Sequence, residues 1–341
     1  MATINKCLKI IPAGVVLLFF YAAQLQAHQE PVRIQGEAQG TTYHITYFDK
    51  KNRNYQPEIE KILADFDKSV STYLPTSIIS RINANEKKVK VDSYFITCFN
   101  KAKEVWKNTD GAFDPTVYAL VNAWGFGPGA KQKIEKTLID SILQFTGFDL
   151  IELKGKYVVK KDPRVSLDFN AFAQGYSVDV VSGFLNSKGV TAYIVEIGGE
   201  VYAKGRKPNG DNWTTGIEKP VDNSDAKNPL KAIVKLEDMA VATSGNYRKF
   251  IIENGIKYAH HIDPKTGYPA KNNLLSASVF GKECITSDAN ATGILVMGLD
   301  KAKVFLAQYP ELLVYLIYSD EKGNYQVFES PGLSAVISEK E

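Results

Sequence analysis

Helix-like and strand-like patterns follow one another along this chain without a regular βαβ period, and that irregularity is the tightest constraint on its fold. Residues 32–48 alternate around Gly40 and predict a pair of strands. Residues 58–71 place Ile59, Ile62, Leu63, Phe66 and Val70 at helical spacing, and residues 92–109 do the same with Phe95, Cys98, Phe99, Ala102 and Trp106. Further helices are predicted at 134–145, 173–188 (closed by Gly189), 287–297 (closed by Gly298) and 301–308. Strands are predicted at 193–204, 213–218, 232–236, 239–243, 313–318 and 325–329, and residues 111–129 read as a structured loop around short elements. This mixture predicts the α+β class. Neither G-x-G-x-x-G nor a Walker A sequence occurs, so a dinucleotide bound here would use neither the Rossmann nor the P-loop solution. No internal repeat or Pro/Gly/Ser linker divides the chain, so residues 28–341 are expected to act as one unit.

The N-terminus reads differently. Lys6 and Lys9 precede an apolar run at 10–23, and a short polar stretch ends at Ala27. Basic, apolar, then small is the order of a secretory signal. The run falls short of the roughly 20 residues that span a bilayer core, and Pro12 and Gly14 weaken it as a helix. Residues 1–27 are therefore expected to be a signal peptide, with an uncleaved anchor as the alternative. The protein is then exported, either periplasmic or attached to the outer face of the inner membrane. Cys7 precedes the run and is badly placed for a lipid-modified cysteine. A net charge of +3 with scattered basic residues gives no reason to expect a nucleic-acid partner. Cys98 and Cys284 lack metal-ligand spacing and are expected to be buried thiols.

Several polar residues stand out against this background. Asp288 and Thr292 lie four apart, which on a helix puts two hard oxygen donors on one face. Magnesium takes such oxygens with few protein ligands, although a helix cap and a packed β-branched residue explain the pair equally well. Asp168 follows an apolar segment and Gly175 sits at the front of a helix, a junction whose amides suit phosphate. Of the four histidines, His28 borders the signal, His44 alternates in a strand, and His260 and His261 precede Asp263, Pro264 and a turn at Thr266–Gly267. An imidazole there is a candidate base near neutral pH or a structural group. Tyr73, in a polar S-T-Y-L-P segment, either stacks on a flat ligand ring or anchors its loop. Trp124-Gly-Phe-Gly reads as a core plug.

Taken in order, seven segments form a set: G-E-A-Q-G-T-T-Y (36–43), S-T-Y-L-P-T-S-I-I-S-R-I-N (71–83), G-A-F-D-P-T-V (111–117), L-D-F-N-A-F-A-Q-G-Y-S-V-D (167–179), A-V-A-T-S-G-N-Y-R (240–248), H-H-I-D-P-K-T-G (260–267) and S-D-A-N-A-T (287–292). The set resembles the ApbE family, the FAD:protein FMN transferases, over residues 36–318. The resemblance implies a magnesium ion beside the FAD pyrophosphate, held by the Ala171 carbonyl, the Asp288 carboxylate and Thr292, with the Ala291 carbonyl as an additional ligand. It implies flavin and adenine contacts from Gln39, Tyr73, Ala112, Phe113, Asp114, Asp168 and Gln174. It makes His260, at the first position of H-x-x-D-P, the base that takes a proton from the acceptor hydroxyl; His261 fills a position that is often apolar in the family. Gln39 stands where the family often has methionine, and Gln174 where it often has lysine or glutamate.

The implied reaction is attack of a threonine or serine hydroxyl of another protein on the FMN phosphorus of FAD, with AMP leaving. The implied partner is an acceptor flavoprotein carrying a Thr/Ser flavinylation motif, such as a subunit of a membrane redox complex. Two alternatives share the same residues: a magnesium-dependent FAD pyrophosphatase with water as nucleophile, and a non-catalytic FAD-binding protein.

Overall fold

Eight strands pair antiparallel in the order in which they occur in the chain: β1 (Val32–Ala38), β2 (Thr41–Tyr47), β3 (Tyr193–Ile197), β4 (Glu200–Lys204), β5 (Met239–Gly245), β6 (Leu274–Gly281), β7 (Leu313–Ser319) and β8 (Tyr325–Glu329). The computed structural model describes residues 30–220, 230–246, 250–253 and 256–339. The N-terminal apolar run, His28 and Tyr247–Arg248 of the A-V-A-T-S-G-N-Y-R segment lie outside the described residues. Among the described residues no helix is long and apolar enough to cross a membrane. The helices are α1 (Gln56–Val70), α2 (Ile78–Asn83), α3 (Ser93–Asn108), α4 (Tyr118–Trp124), α5 (Lys136–Leu143), α6 (Ala173–Ser187), α7 (Cys284–Met297) and α8 (Leu299–Gln308). Helices and antiparallel sheets mixed without βαβ repetition make this the expected α+β class, with no Rossmann arrangement.

The main sheet is covered on both faces. On one, Tyr43, Ile45, Val195 and Ile197 cluster with Ile59 and Leu63 of α1 and Val178 and Val181 of α6. On the other, Val201, Ala203, Val241 and Phe280 cluster with Trp213, Ile217, Val234 and Leu236 of a second, three-stranded sheet formed by Trp213–Glu218, Leu230–Leu236 and Ile337–Glu339. A third core, built on Phe95, Phe99, Phe113, Phe148 and Phe169, joins α3 to the loops around the site. Cys98 and Cys284 are buried free thiols, as expected.

Most predicted helices sit where the periodicity put them, with ends shifted by a few residues. Helix α3 starts after Asp92, whose carboxylate accepts from the Phe95 amide at 2.9 Å. Two readings need correction. Residues 193–204 form a hairpin, not one strand: Ile197 pairs with Glu200 across Gly198–Gly199, whose φ angles of 67° and 104° few other residues adopt. Strand β6, central to the sheet, was not anticipated. The serines of its L-L-S-A-S-V-F-G sequence mark no solvent face: Ser276 and Ser278 are fully buried, as are Ala277 and Val279. Its register also slips between Leu274 and Ser276. That extra residue lets Leu274, Ala277 and Val279 share the α7 face despite their odd spacing.

Candidate active site

Helix α7 is apolar around most of its circumference and therefore buried. Asp288 and Thr292 break that pattern one turn apart. Asp288 is 6% exposed. Burial pushes its carboxyl up, to about 7, the neighbouring Asp179 acts in the same direction, and the Gly175 amide opposes both. That amide, near the start of α6, donates to Asp288 Oδ2 at 2.9 Å. The Thr292 hydroxyl lies 3.2 Å from the Ala171 carbonyl and 3.2 Å from Ser244 Oγ at the end of β5. A carboxylate, a hydroxyl and a carbonyl thus border the same cleft, which encloses about 300 Å³.

This donor set fits magnesium. The charged group acting on Asp288 among the described residues is another acid, so keeping it ionised calls for a cation from outside the chain. No group of three or more His, Cys, Asp or Glu side chains among the described residues could hold a metal. One carboxylate with neutral oxygens suits a hard ion that keeps water and phosphate as its other ligands. Ala291 sits in the interior of α7, packed against the sheet, inside the helix's own carbonyl-to-amide ladder.

The remaining predicted residues, Gln39 apart, line the same cleft. Ala112 and Phe113 follow α3 through Asp110 and Gly111, both at positive φ. The Phe113 amide is held by Thr109 Oγ1 at 3.1 Å, and its buried ring meets Phe172 edge-on at 5.4 Å. Asp114 has its carboxylate engaged within the protein: it accepts from the Thr116 amide at 2.8 Å, the Thr116 hydroxyl at 2.6 Å and the Phe148 amide at 3.0 Å. It shapes the cleft wall, and burial raises its pKa. Asp168 is buried, which pushes it up to about 6, against the Asn170 amide that donates to it. Gln174 packs so closely on the β3–β4 turn that a Cβ on Gly198 would stand 2.7 Å from its Nε2. Tyr73 projects at the cleft with 62% of its surface exposed, free to cover a ligand. Gln39 occupies the β1–β2 turn at φ 55° and accepts from Ser177 Oγ at 3.2 Å. It is not among the residues that line the cleft.

His260 and His261 both line the cleft, with ring centroids 3.9 Å apart. Phe126 meets His260 edge-on at 6.2 Å and also lines the cleft. Trp124 is the core plug its sequence suggested, donating to the Gly267 carbonyl at 2.9 Å and so anchoring the histidine loop from behind. His44 pairs across strands with Glu196 at the surface, away from the cleft. Sequence reading missed Asn170, Glu200, Thr243 and Ser244, which also line the cleft. The A-V-A-T-S-G segment was the available signal for two of them.

One buried acid fixes the start of helix α7. Asp179 of α6 accepts from the Cys284 and Ile285 amides, each at 2.8 Å, and so caps α7 from a neighbouring helix. Glu283, at the cap position itself, makes no such bond. Burial pushes Asp179 up to about 7, against these two amides. Asp179→Ala is expected to lower stability by about 2–4 kcal/mol, from two lost bonds to a charged acceptor. Asp179→Asn, which keeps one acceptor oxygen, should lose about half as much. Denaturant titration of both variants checks this order.

The ApbE family profile matches residues 39–316. The FAD:protein FMN transferase of Haemophilus influenzae is 36% identical over 315 residues, covering 88% of this chain and 90% of that protein. The FAD:protein FMN transferase of Vibrio cholerae is 35% identical over 302 residues, covering 86% and 89%. The solved structure of the flavin transferase ApbE from Vibrio cholerae superimposes with a TM-score of 0.80 at 33% identity, covering 90% of this chain and 99% of that one. The apbe protein of Thermotoga maritima gives 0.79 at 26% identity, covering 92% and 100%. This chain belongs to the ApbE family.

Proposed function

We propose that the protein is a magnesium-dependent FAD:protein FMN transferase that moves FMN from FAD to a threonine or serine hydroxyl of an acceptor protein and releases AMP. The observation that carries this reading is the meeting of Asp288, Thr292 and Ala171 with His260 and His261 in one cleft, in a chain whose relatives bear that name. Asp288, Thr292 and the Ala171 carbonyl would hold the ion. The chemistry a bound magnesium supplies is charge neutralisation on the pyrophosphate.

The chain's own residues do the rest. Tyr73, largely exposed at the cleft, gives flat apolar surface for a ring system, and the buried Phe113 backs the cleft wall. Asn170, Ala171 and Gln174, at the turn into α6, border the cleft where the phosphates would lie. His260 takes the proton of the attacking hydroxyl. Positioning and charge stabilisation supply most of the rate, as in other phosphoryl transfers. The N-terminal basic–apolar–small pattern supports export, with the acceptor met in the periplasm or at the outer face of the inner membrane. An exported flavoprotein or a subunit of a membrane redox complex is the acceptor this reading calls for.

The test is incubation of the purified protein with FAD, magnesium and an acceptor domain carrying a Ser/Thr flavinylation motif. The expected result is a fluorescent acceptor band that survives a denaturing gel, with one AMP per flavin attached. FMN and AMP without a labelled acceptor would make the protein a pyrophosphatase. Tight FAD binding with no turnover would make it a binding protein.

A further inference from the structure

We propose that His261 is a second proton acceptor in this site, held in its working tautomer by Asn246. The inference rests on the flavin-transfer reading above. The geometry begins at the register slip in β6. Asn246, just after β5, donates its backbone amide to the Leu275 carbonyl at 2.9 Å and its side-chain Nδ2 to the Leu274 carbonyl at 2.8 Å. A carbonyl only accepts, so Leu274 decides which end of the Asn246 amide is the nitrogen. The oxygen, Oδ1, is then the atom 3.2 Å from His261 Nδ1. That oxygen also only accepts, so Nδ1 carries the hydrogen. In a neutral imidazole this leaves Nε2 as the basic nitrogen.

The ring is fixed as well as polarised. His261 is 8% exposed, and its backbone carbonyl accepts from the Ala270 amide at 2.8 Å. It borders the same cleft as Asp288 and Thr292. A base oriented by a third group is the arrangement that activates hydroxyl nucleophiles. His260, ring to ring with it, is half-buried. In the transfer step the acceptor oxygen forms a bond to the FMN phosphorus. The bond from that phosphorus to the bridging oxygen breaks, and its electron pair leaves with AMP. The hydroxyl proton passes to an imidazole nitrogen and then to solvent. Nε2 of His261 is a receiving atom for that proton, and Asn246 is its positioning residue.

The experiment measures acceptor flavinylation in the wild type and in His260→Gln, His261→Gln, the double variant, Asn246→Leu and Asn246→Asp. FAD affinity, from quenching of flavin fluorescence, and melting temperature are followed in parallel. His261→Gln is expected to lower kcat about tenfold with KM for FAD unchanged, and to lower it about a hundredfold further in the His260→Gln background. Asn246→Leu should match His261→Gln and add nothing to it. Asn246→Asp, which loses the Leu274 bond but keeps an acceptor facing Nδ1, should recover most of the rate; a purely structural asparagine would not be rescued this way. Two results would overturn the role: His261→Gln as fast as its parent in both backgrounds, or His260→Gln as slow as the double variant. If the wild type leaves FAD intact, the transfer reading falls and this role with it; an active wild type with either overturning result removes this role alone.

Discussion

Asp288→Asn is expected to lower FAD turnover about a thousandfold while leaving the fold intact. Asparagine is isosteric and keeps an oxygen for the Gly175 amide, which donates to Asp288 Oδ2 at 2.9 Å. What disappears is the charge that would hold the cation. A metal that stabilises the transition state by several kcal/mol is worth three or so powers of ten in rate, at 1.36 kcal/mol for each. The stability of the same variant separates this loss from unfolding. Burial pushes the Asp288 carboxyl up to about 7 in the folded chain, against about 3.9 for an unfolded aspartate. Between those values the folded state holds a proton that the unfolded chain has released. Metal-free stability therefore falls as pH rises from about 4 through 7, and Asp288→Asn removes this residue's share of the fall. At pH 8 without magnesium the variant should melt at or above the wild type. Added magnesium should raise the wild-type melting temperature, by the equivalent of about 2.7 kcal/mol at a hundredfold its dissociation constant, and leave the variant unmoved. Full turnover in Asp288→Asn at low magnesium would remove the metal assignment.

The residues that made this site legible in the sequence are those whose spacing is local. Asp288 and Thr292 are one helical turn apart in any helix, and the amphipathic periods of α1, α3 and α6 mark those helices. What stayed hidden is long-range. Asp179 reads as one polar residue on a helix, and only packing shows that it caps another helix more than a hundred residues on. Strand β6 escaped because a strand covered by helices on one face and a second sheet on the other exposes neither, so its buried serines read as loop. The Leu274 carbonyl at the start of the same strand accepts from Asn246 and so sets the His261 tautomer, a consequence no local pattern encodes. Asp114 is a ligand contact by family resemblance alone; packing adds that its carboxylate is engaged by Thr116 and Phe148. The resemblance names the residue, and the residue lines the cleft, but no local pattern reveals what its oxygens do.

The closeness of α6 to α7 predicts opposite effects for one substitution made twice in the same helix. Gly175 and Gly183 both lie in α6. A Cβ at Gly175 would stand 2.6 Å from the Cys284 carbonyl oxygen, 2.7 Å from Asp288 Cβ and 2.9 Å from the Cys284 carbonyl carbon. Two of these are backbone atoms at the first residue of α7, so no rotamer change relieves them. Helix α7 has to move, yet Asp179 holds its N-terminus at Cys284 and Ile285. Overpacking of this kind costs about 3 kcal/mol or more, which outweighs the roughly 1 kcal/mol that alanine gains over glycine in a helix. Gly175→Ala should therefore destabilise by at least about 2 kcal/mol. At Gly183, nothing lies within 4 Å of the added carbon, only the helix-propensity gain remains, and Gly183→Ala should stabilise by about 0.5–1 kcal/mol. Activity follows the contact rather than the helix. Gly175→Ala displaces the carboxylate that Gly175 now holds, and should weaken magnesium binding and turnover even at temperatures where the variant is fully folded. Gly183→Ala should leave both unchanged. Denaturation curves and magnesium titrations of the two variants test the pair. A Gly175→Ala protein as stable and as active as Gly183→Ala would show that the α6–α7 contact does not set the position of Asp288.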